Sequence, residues 1–130
     1  MNIKRLINEA KKARNRAYSP YSKYKVGAAV LTKGGNIYSG CNVENASFGI
    51  TCCAERVAIF KAVSEGEKDI KAIAVVTGGK LTSVCGACRQ VIAEFGKDVK
   101  IIMANVKGDK KVTTIAKLLP DAFRLKRLER

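Results

Sequence analysis

The sequence predicts an α/β protein in three layers, helices on both faces of a mixed five-stranded sheet whose last strand runs antiparallel to its neighbour. Three observations predict it. Helical and extended patterns alternate in the order helix, hairpin, helix, strand, helix, strand, strand, helix. Residues 70–77 and 99–105 read as strands buried on both faces, the first a β-branched run without strict alternation. Only residues 106–111 separate the last two strands, too few for a parallel crossover and enough for a hairpin. At 130 residues the chain, 1–130, is expected to form one domain that needs neither disulfide nor metal merely to stay folded.

Each element has its own signal. Ile3, Leu6, Ile7, Ala10, Ala13 and Ala17 recur at three- and four-residue spacing among Lys and Arg, the stripe of an amphipathic helix that ends before Tyr18. Residues 25–32 and 37–43 are extended, joined by the turn Lys33-Gly34-Gly35-Asn36. Residues 53–65 are apolar on nearly every side and end at Gly66, which predicts a buried helix with a glycine C-cap. Gly78-Gly79 breaks the strand at 70–77, residues 85–95 form a second helix closed by Gly96, and residues 112–114 are the last strand. Residues 115–119 and 122–128 are expected as short helical pieces on either side of Pro120. In such sheets ligands bind beyond the carboxyl ends of strands, where the next helices begin.

Composition narrows the chemistry. The chain has no His, so Ser-His-Asp and Cys-His nucleophilic sites, His-based metal sites and a His general base are excluded, and acid–base work falls to a carboxylate, Lys, Tyr or Cys. The net charge of +14 taken alone suggests nucleic acid or an anionic surface. Its placement argues otherwise: residues 26–66 carry three positive and three negative charges, and the excess lies at the two ends and in the loop tips. Nucleic acid is not an expected partner. No apolar run is long enough for a membrane span or signal peptide, so the expected location is cytoplasmic, with the five Cys as reduced thiols or metal ligands.

Cys85-Gly86-Ala87-Cys88 places two sulfurs on one side of a helix start, the spacing of two ligands of a tetrahedral zinc. Cys53 and Glu55 open the other helix. Two residues apart on a regular helix they would point in opposite directions, so they converge only on something seated at the helix end. A zinc between the two helix starts meets that condition, with Cys53, Cys85 and Cys88 as thiolate ligands, a fourth position open to water, and Glu55 within reach of that water. Zinc with three thiolates carries net −1, which weakens it as a Lewis acid. Two helix N-termini offset this, and Arg56 and Arg89 each directly follow a site residue, so either could donate to the sulfurs. Cys41 and Cys52 read as small buried residues, with Cys52 a candidate competing ligand. Taken alone, the Cys-x-x-Cys pair is equally compatible with zinc, with a redox pair or with accident; Glu55 beside Cys53 favours zinc.

Five separated motifs then resemble the homotetrameric cytidine deaminase family whose zinc is held by three cysteines: Ser19-Pro20-Tyr21-Ser22-x-Tyr24-x-Val26-Gly27-Ala28-Ala29, Gly40-Cys41-Asn42-Val43-Glu44-Asn45-Ala46-Ser47, Cys53-Ala54-Glu55-Arg56, Cys85-Gly86-Ala87-Cys88-Arg89-Gln90 and Leu118-Leu119-Pro120-x-Ala122-Phe123. The acid/base role of the glutamate and the three-cysteine ligand set are general to zinc deaminases and known independently of this chain. The resemblance implies a cytidine deaminase-like fold and one Zn2+ per chain on Cys53, Cys85 and Cys88. It implies hydrolysis of cytidine and deoxycytidine to uridine and deoxyuridine with release of ammonia, in pyrimidine nucleoside salvage. Glu55 would be catalytic, moving a proton from the attacking water to ring N3 and then to the leaving amine. Asn42 and Glu44 would hold the ribose hydroxyls, Tyr24 would pack on the pyrimidine, the Ala54 N–H would position the base, and Arg56 would neutralise the thiolates. Ala46 and Phe48 would face a neighbouring subunit's pocket and Phe123 would cover a neighbour's base, in a homotetramer. Three positions depart from the family's pattern: Tyr24 for Phe, Val84 for Pro and Phe48 for Tyr.

Four rival readings remain. A relative could act on another cytosine nucleoside such as blasticidin S, although Asn42 and Glu44 favour a plain ribose. A polymer-acting deaminase is opposed by the antiparallel last strand and by a Glu44 carboxylate that would repel phosphate. A thiol–disulfide oxidoreductase leaves Cys53 and Glu55 without a role. A basic structural-zinc protein binding nucleic acid lacks a clear second Cys-x-x-Cys.

Overall fold

A computed structural model describes residues 1–125. Its elements are α1 (Ile3–Arg14), β1 (Gly27–Thr32), β2 (Ile37–Cys41), a 3₁₀ turn (Phe48–Ile50), α2 (Ala54–Ser64), β3 (Ile70–Thr77), α3 (Gly86–Glu94), β4 (Lys100–Asn105), β5 (Lys110–Thr114) and α4 (Ile115–Leu118). The five strands form one sheet in the order β2-β1-β3-β4-β5. Among these strands only β3 and β4 pair in parallel; β1 runs antiparallel to both β2 and β3, and β5 antiparallel to β4, as the short connection requires.

The period of two in the central strands separates two apolar layers. Ala28 and Val30, Ile73 and Val75, Ile101 and Met103 face α2, α3 and α4. Ala29, Ala72, Ala74, Val76, Ile102 and Ala104 face α1, which brings down Leu6 and Ala10. The small residues on the α1 side let that helix sit close. A Cβ on Gly27 would lie 2.0 Å from the Ala10 carbonyl oxygen, so α1 can approach β1 only over a glycine. Asn2 caps α1, its Oδ1 accepting from the Arg5 N–H at 3.0 Å.

Two helices differ from expectation. Gly66 stands at φ 92° after α2, as predicted for a C-cap. Yet α2 is not buried all round: Ala54, Ala58, Ile59 and Ala62 line the core while Phe60 is 47 % exposed. The helix expected over 122–128 does not form in its described part, 122–125; residues 126–128 lie outside the described residues. After Pro120, Asp121 adopts φ 52° and the chain runs along α3. There Gln90 Nε2 donates to the Phe123 carbonyl at 2.9 Å and the Arg124 guanidinium donates to the Ala93 carbonyl. Interactions with α3 replace a helical turn.

The hairpin is tied to the α2–β3 loop by Glu67. Its carboxylate accepts from the Thr32 hydroxyl at 2.5 Å, Asn36 Nδ2 at 2.8 Å and the Tyr38 hydroxyl at 2.5 Å. These bonds, the Thr32 bond foremost, hold the Glu67 carboxyl below its ordinary 4.5. A depressed folded value contributes stability that is present above 4.5 and lost as pH falls through the folded value. Thermal melting of Glu67→Gln against the parent is therefore expected to show a stability gap at neutral pH that narrows below pH 4.5. A pH-independent gap would refute the assignment.

Candidate metal centre and active-site cleft

The C-terminal end of β3 opens into a cleft of about 280 Å³ where the N-termini of α2 and α3 meet. It is lined by Tyr24, Val26, Asn42 and Glu44 from the segments around β1 and β2, by Cys53, Ala54 and Glu55 at the start of α2, by Val75 and Thr77 of β3, and by Thr82, Ser83 and Cys85 before α3. Cys53 and Cys85 are the N-cap residues of α2 and α3, both extended, with ψ 153° and 162°. A cap residue stands outside the helical spiral, so the helical angle that would separate Cys53 from Glu55 does not apply.

The sulfurs of Cys53, Cys85 and Cys88 lie within 4.8 Å of one another, with Cys53 and Cys85 at 3.9 Å. A tetrahedral zinc with sulfur at 2.3 Å needs sulfurs about 3.8 Å apart, so this donor set fits the metal. Arg56 Nη2 donates to Cys53 Sγ at 3.5 Å and to the Thr51 carbonyl at 3.3 Å, while its Nε is buried with no hydrogen-bond partner among the described residues. The Cys53 thiol is pulled down to about 5, first by the Cys88 thiol donating to it and then by Arg56. Cys88, fully buried, is pushed up as the donor of that bond. The Arg56 guanidinium is in turn held firmly charged by Cys53.

Arg89 behaves differently from Arg56, and of the two candidates only Arg56 donates to a sulfur among the described residues. The Arg89 Nε donates to the Val84 carbonyl at 2.7 Å, Nη2 to Ser83 Oγ at 2.7 Å and Nη1 to the Leu118 carbonyl at 2.8 Å. None of its hydrogen bonds goes to a sulfur. Glu55 is 6 % exposed, and burial, reinforced by the Cys53 charge, pushes its carboxyl up to about 7. A carboxyl near neutrality can both accept and return a proton.

Asn42 and Glu44 have structural tasks that their spacing did not reveal. Asn42 Nδ2 donates to the Tyr24 carbonyl at 2.8 Å and its Oδ1 accepts from the Val26 N–H at 2.9 Å. Glu44 Oε1 accepts from the Tyr21 and Ser22 N–H groups at 3.0 and 3.1 Å, and Oε2 from the Ser22 hydroxyl. That hydroxyl, first among the donors, holds the Glu44 carboxyl low. Each side chain keeps spare capacity for a ligand, one N–H on Asn42 and free lone pairs on Glu44. Tyr24 reaches across the mouth, its hydroxyl 2.5 Å from Thr82 Oγ1. Thr82 and Ser83 carried no motif in the sequence; only the path of the 78–85 loop brings them here.

Ala46, Phe48 and Phe123 do not line this chain's own cleft. All three are exposed, Phe48 at 75 % and Phe123 at 70 %. Phe48 rests edge-on to Tyr21 with ring centres 6.3 Å apart.

Residues 1–104 match the family model described as the cytidine and deoxycytidylate deaminase zinc-binding region. The chain belongs to that family. This deaminase is similar to a cytidine deaminase of Sporosarcina psychrophila, 56 % identical over 95 % of this chain and 92 % of the relative. Its fold matches a crystal structure of cytidine deaminase from Burkholderia pseudomallei with a TM-score of 0.91 at 49 % identity, covering 95 % of this chain and 100 % of that one. It also resembles a blasticidin-S deaminase of Bacillus cereus, 35 % identical over 76 % of each chain.

Proposed function

We infer that this protein, folding as one domain over 1–130, hydrolyses the exocyclic amine of cytidine and deoxycytidine, giving the uracil nucleosides and ammonia in nucleoside salvage in the cytoplasm. One observation carries the reading: three thiols converge at the edge of a nucleoside-sized cleft beside the buried Glu55 carboxyl. Cys53, Cys85 and Cys88 would hold zinc, and Arg56 would offset part of their charge. Zinc, when bound, supplies a Lewis acid that makes water nucleophilic near neutral pH.

The protein's own groups do the rest. Glu55 takes a proton from the attacking water and delivers it to ring N3; it then takes a second proton, from the hydroxyl newly added at C4, and hands it to the amine, which leaves as ammonia as the C4–N bond breaks and the C4 carbonyl forms. The Ala54 N–H, at the start of α2 and without a helical acceptor, is placed to orient the base. Tyr24, held at the rim by Thr82, packs against the ring. The spare N–H of Asn42 and lone pairs of Glu44 suit ribose hydroxyls, and an ionised Glu44 disfavours a phosphodiester.

Phe48, Ile50, Phe60 and Phe123 leave more apolar surface exposed than a lone chain of this size has use for. Covering them in a homotetramer would bring Ala46 and Phe48 to a neighbour's pocket and Phe123 over its base. No helix among the described residues is long and apolar enough to cross a membrane.

An ultraviolet assay on cytidine, deoxycytidine, blasticidin S and a cytosine-containing oligonucleotide tests the reading. Turnover of both nucleosides is expected, with the oligonucleotide inert and about one zinc per chain. Zinc-loaded protein inert on both nucleosides would overturn it. The likeness to the blasticidin-S enzyme favours a second reading, which turnover of that compound alone would select. Light scattering at four times the 14.1 kDa chain mass is expected for the assembly.

A further inference from the structure

The loop that carries Cys85 is held in an unusual way. Residues 78–84 neither donate nor accept any backbone–backbone hydrogen bond among the described residues. Side chains make the ties instead. Asn105 Nδ2 donates to the Gly79 carbonyl at 2.7 Å, Thr77 Oγ1 to the Lys80 carbonyl at 3.0 Å, and Tyr24 meets Thr82. Among the described residues, the hydrogen bonds to the two residues directly before Cys85 all come from Arg89, through Ser83 Oγ and the Val84 carbonyl, while the Val84 side chain is buried in the main core. A proline at position 84 would have restricted this backbone by itself; Val84 does not. The third arm of Arg89 ends on the carbonyl of Leu118, a residue packed against the main core.

We propose that Arg89 is the positioning residue of the metal centre: its planar fork fastens the Ser83 hydroxyl and the Val84 carbonyl to the end of α4 and so holds Cys85 where its sulfur meets those of Cys53 and Cys88. Three sulfurs about 3.8 Å apart leave little tolerance; the buried Val84 side chain anchors the lead-in to the core but, without backbone pairing, does not fix the direction of its carbonyl. Arg56 and Arg89 thereby divide the work, the first acting on charge at a sulfur and the second on geometry through the backbone. A lysine cannot replace the fork, because a single ammonium on a flexible stem does not bridge three separated acceptors in fixed directions.

The inference rests on the zinc reading above, and a parent protein that takes up no zinc would overturn both. With zinc-loaded parent in hand, the test is the rate of zinc release to a chromogenic chelator, read beside the melting temperature of the metal-free form. Arg89→Gln is expected to release zinc about 10–100-fold faster, the range typical when a partner of a metal ligand is lost. Arg89→Lys is expected to release faster than the parent as well, although charge is kept. Ser83→Ala, which removes one arm and no buried surface, is expected to speed release a few-fold with metal-free melting unchanged. Parental release rates in all three variants would overturn the proposal, even if the Arg89 variants melt lower, because the arginine would then serve the fold alone. Full rescue by Arg89→Lys would overturn it too, by showing that charge suffices. Where the Arg89 variants fail to fold, Ser83→Ala decides in the same two directions.

Discussion

Glu55→Gln is expected to keep the fold and about one zinc per chain while losing about 10⁴-fold or more in turnover, the upper end of what one acid–base group contributes. The size of the effect follows from how the site is built. The chain has no His, and among the described residues no carboxylate other than Glu55 and Glu44 lines the cleft. Glu44 is already occupied by Ser22 and the Tyr21 and Ser22 N–H groups. One group must therefore serve both proton transfers, the first to ring N3 and the second to the amine, and a carboxamide does neither. Glutamine has the same shape, so the 6 % exposed position should tolerate it. Activity within ten-fold of the parent, measured by the ultraviolet assay at equal zinc content, would show that another base carries the proton.

Cys88→Ser is expected to abolish stoichiometric zinc and, with it, activity. Cys88 is the fully buried member of the triad, one turn inside α3 and packed in the main core, so it cannot swing out and no solvent-exposed group can take its place. A serine hydroxyl keeps the approximate volume but offers a hard, protonated oxygen where zinc prefers thiolate. Metal analysis after dialysis should give well under one zinc per chain. The melting temperature should fall towards that of chelator-treated parent, since metal binding free energy is also folding free energy. Cys41→Ala is the control: Cys41 lies outside the triad and the variant should stay zinc-loaded. Full zinc in Cys88→Ser would mean that the ligand set is drawn wrongly, with Cys52 the first residue to test in its place.

Much of the fold was legible because its signals are local. The β-branched run at 70–77, the glycine after α2 and the short link before β5, which the structure shortens to residues 106–109, are short-range statements about backbone and packing, and each corresponds to an element or pairing in the structure. The ligand set was legible for a related reason. Cys-x-x-Cys at a helix start and Cys-x-Glu at another specify donor chemistry within one turn. The expectation for residues 122–128 failed where local preference met a stronger competitor, the hydrogen bonds to α3 in which Gln90 takes up the Phe123 carbonyl and Arg124 reaches that of Ala93. The choice between the two arginines was not legible in the sequence. The position of Arg89 next to Cys88 was as suggestive as that of Arg56 next to Glu55, but the acceptors that win Arg89, Ser83, Val84 and Leu118, come from a loop and a helix end that no spacing rule places beside it.

The sequence by itself determined the chemistry available here: thiolates in place of imidazoles, one carboxyl beside them, and an antiparallel last strand. Residue type and short spacing suffice for that, since both are properties of a few consecutive positions. The tertiary structure alone decided which arginine reaches sulfur and which holds backbone, that Tyr24 meets Thr82, and that Phe48 and Phe123 face outward. Those outcomes depend on where long loops return, and the free energy that settles a loop's path is spread over contacts distant in the chain.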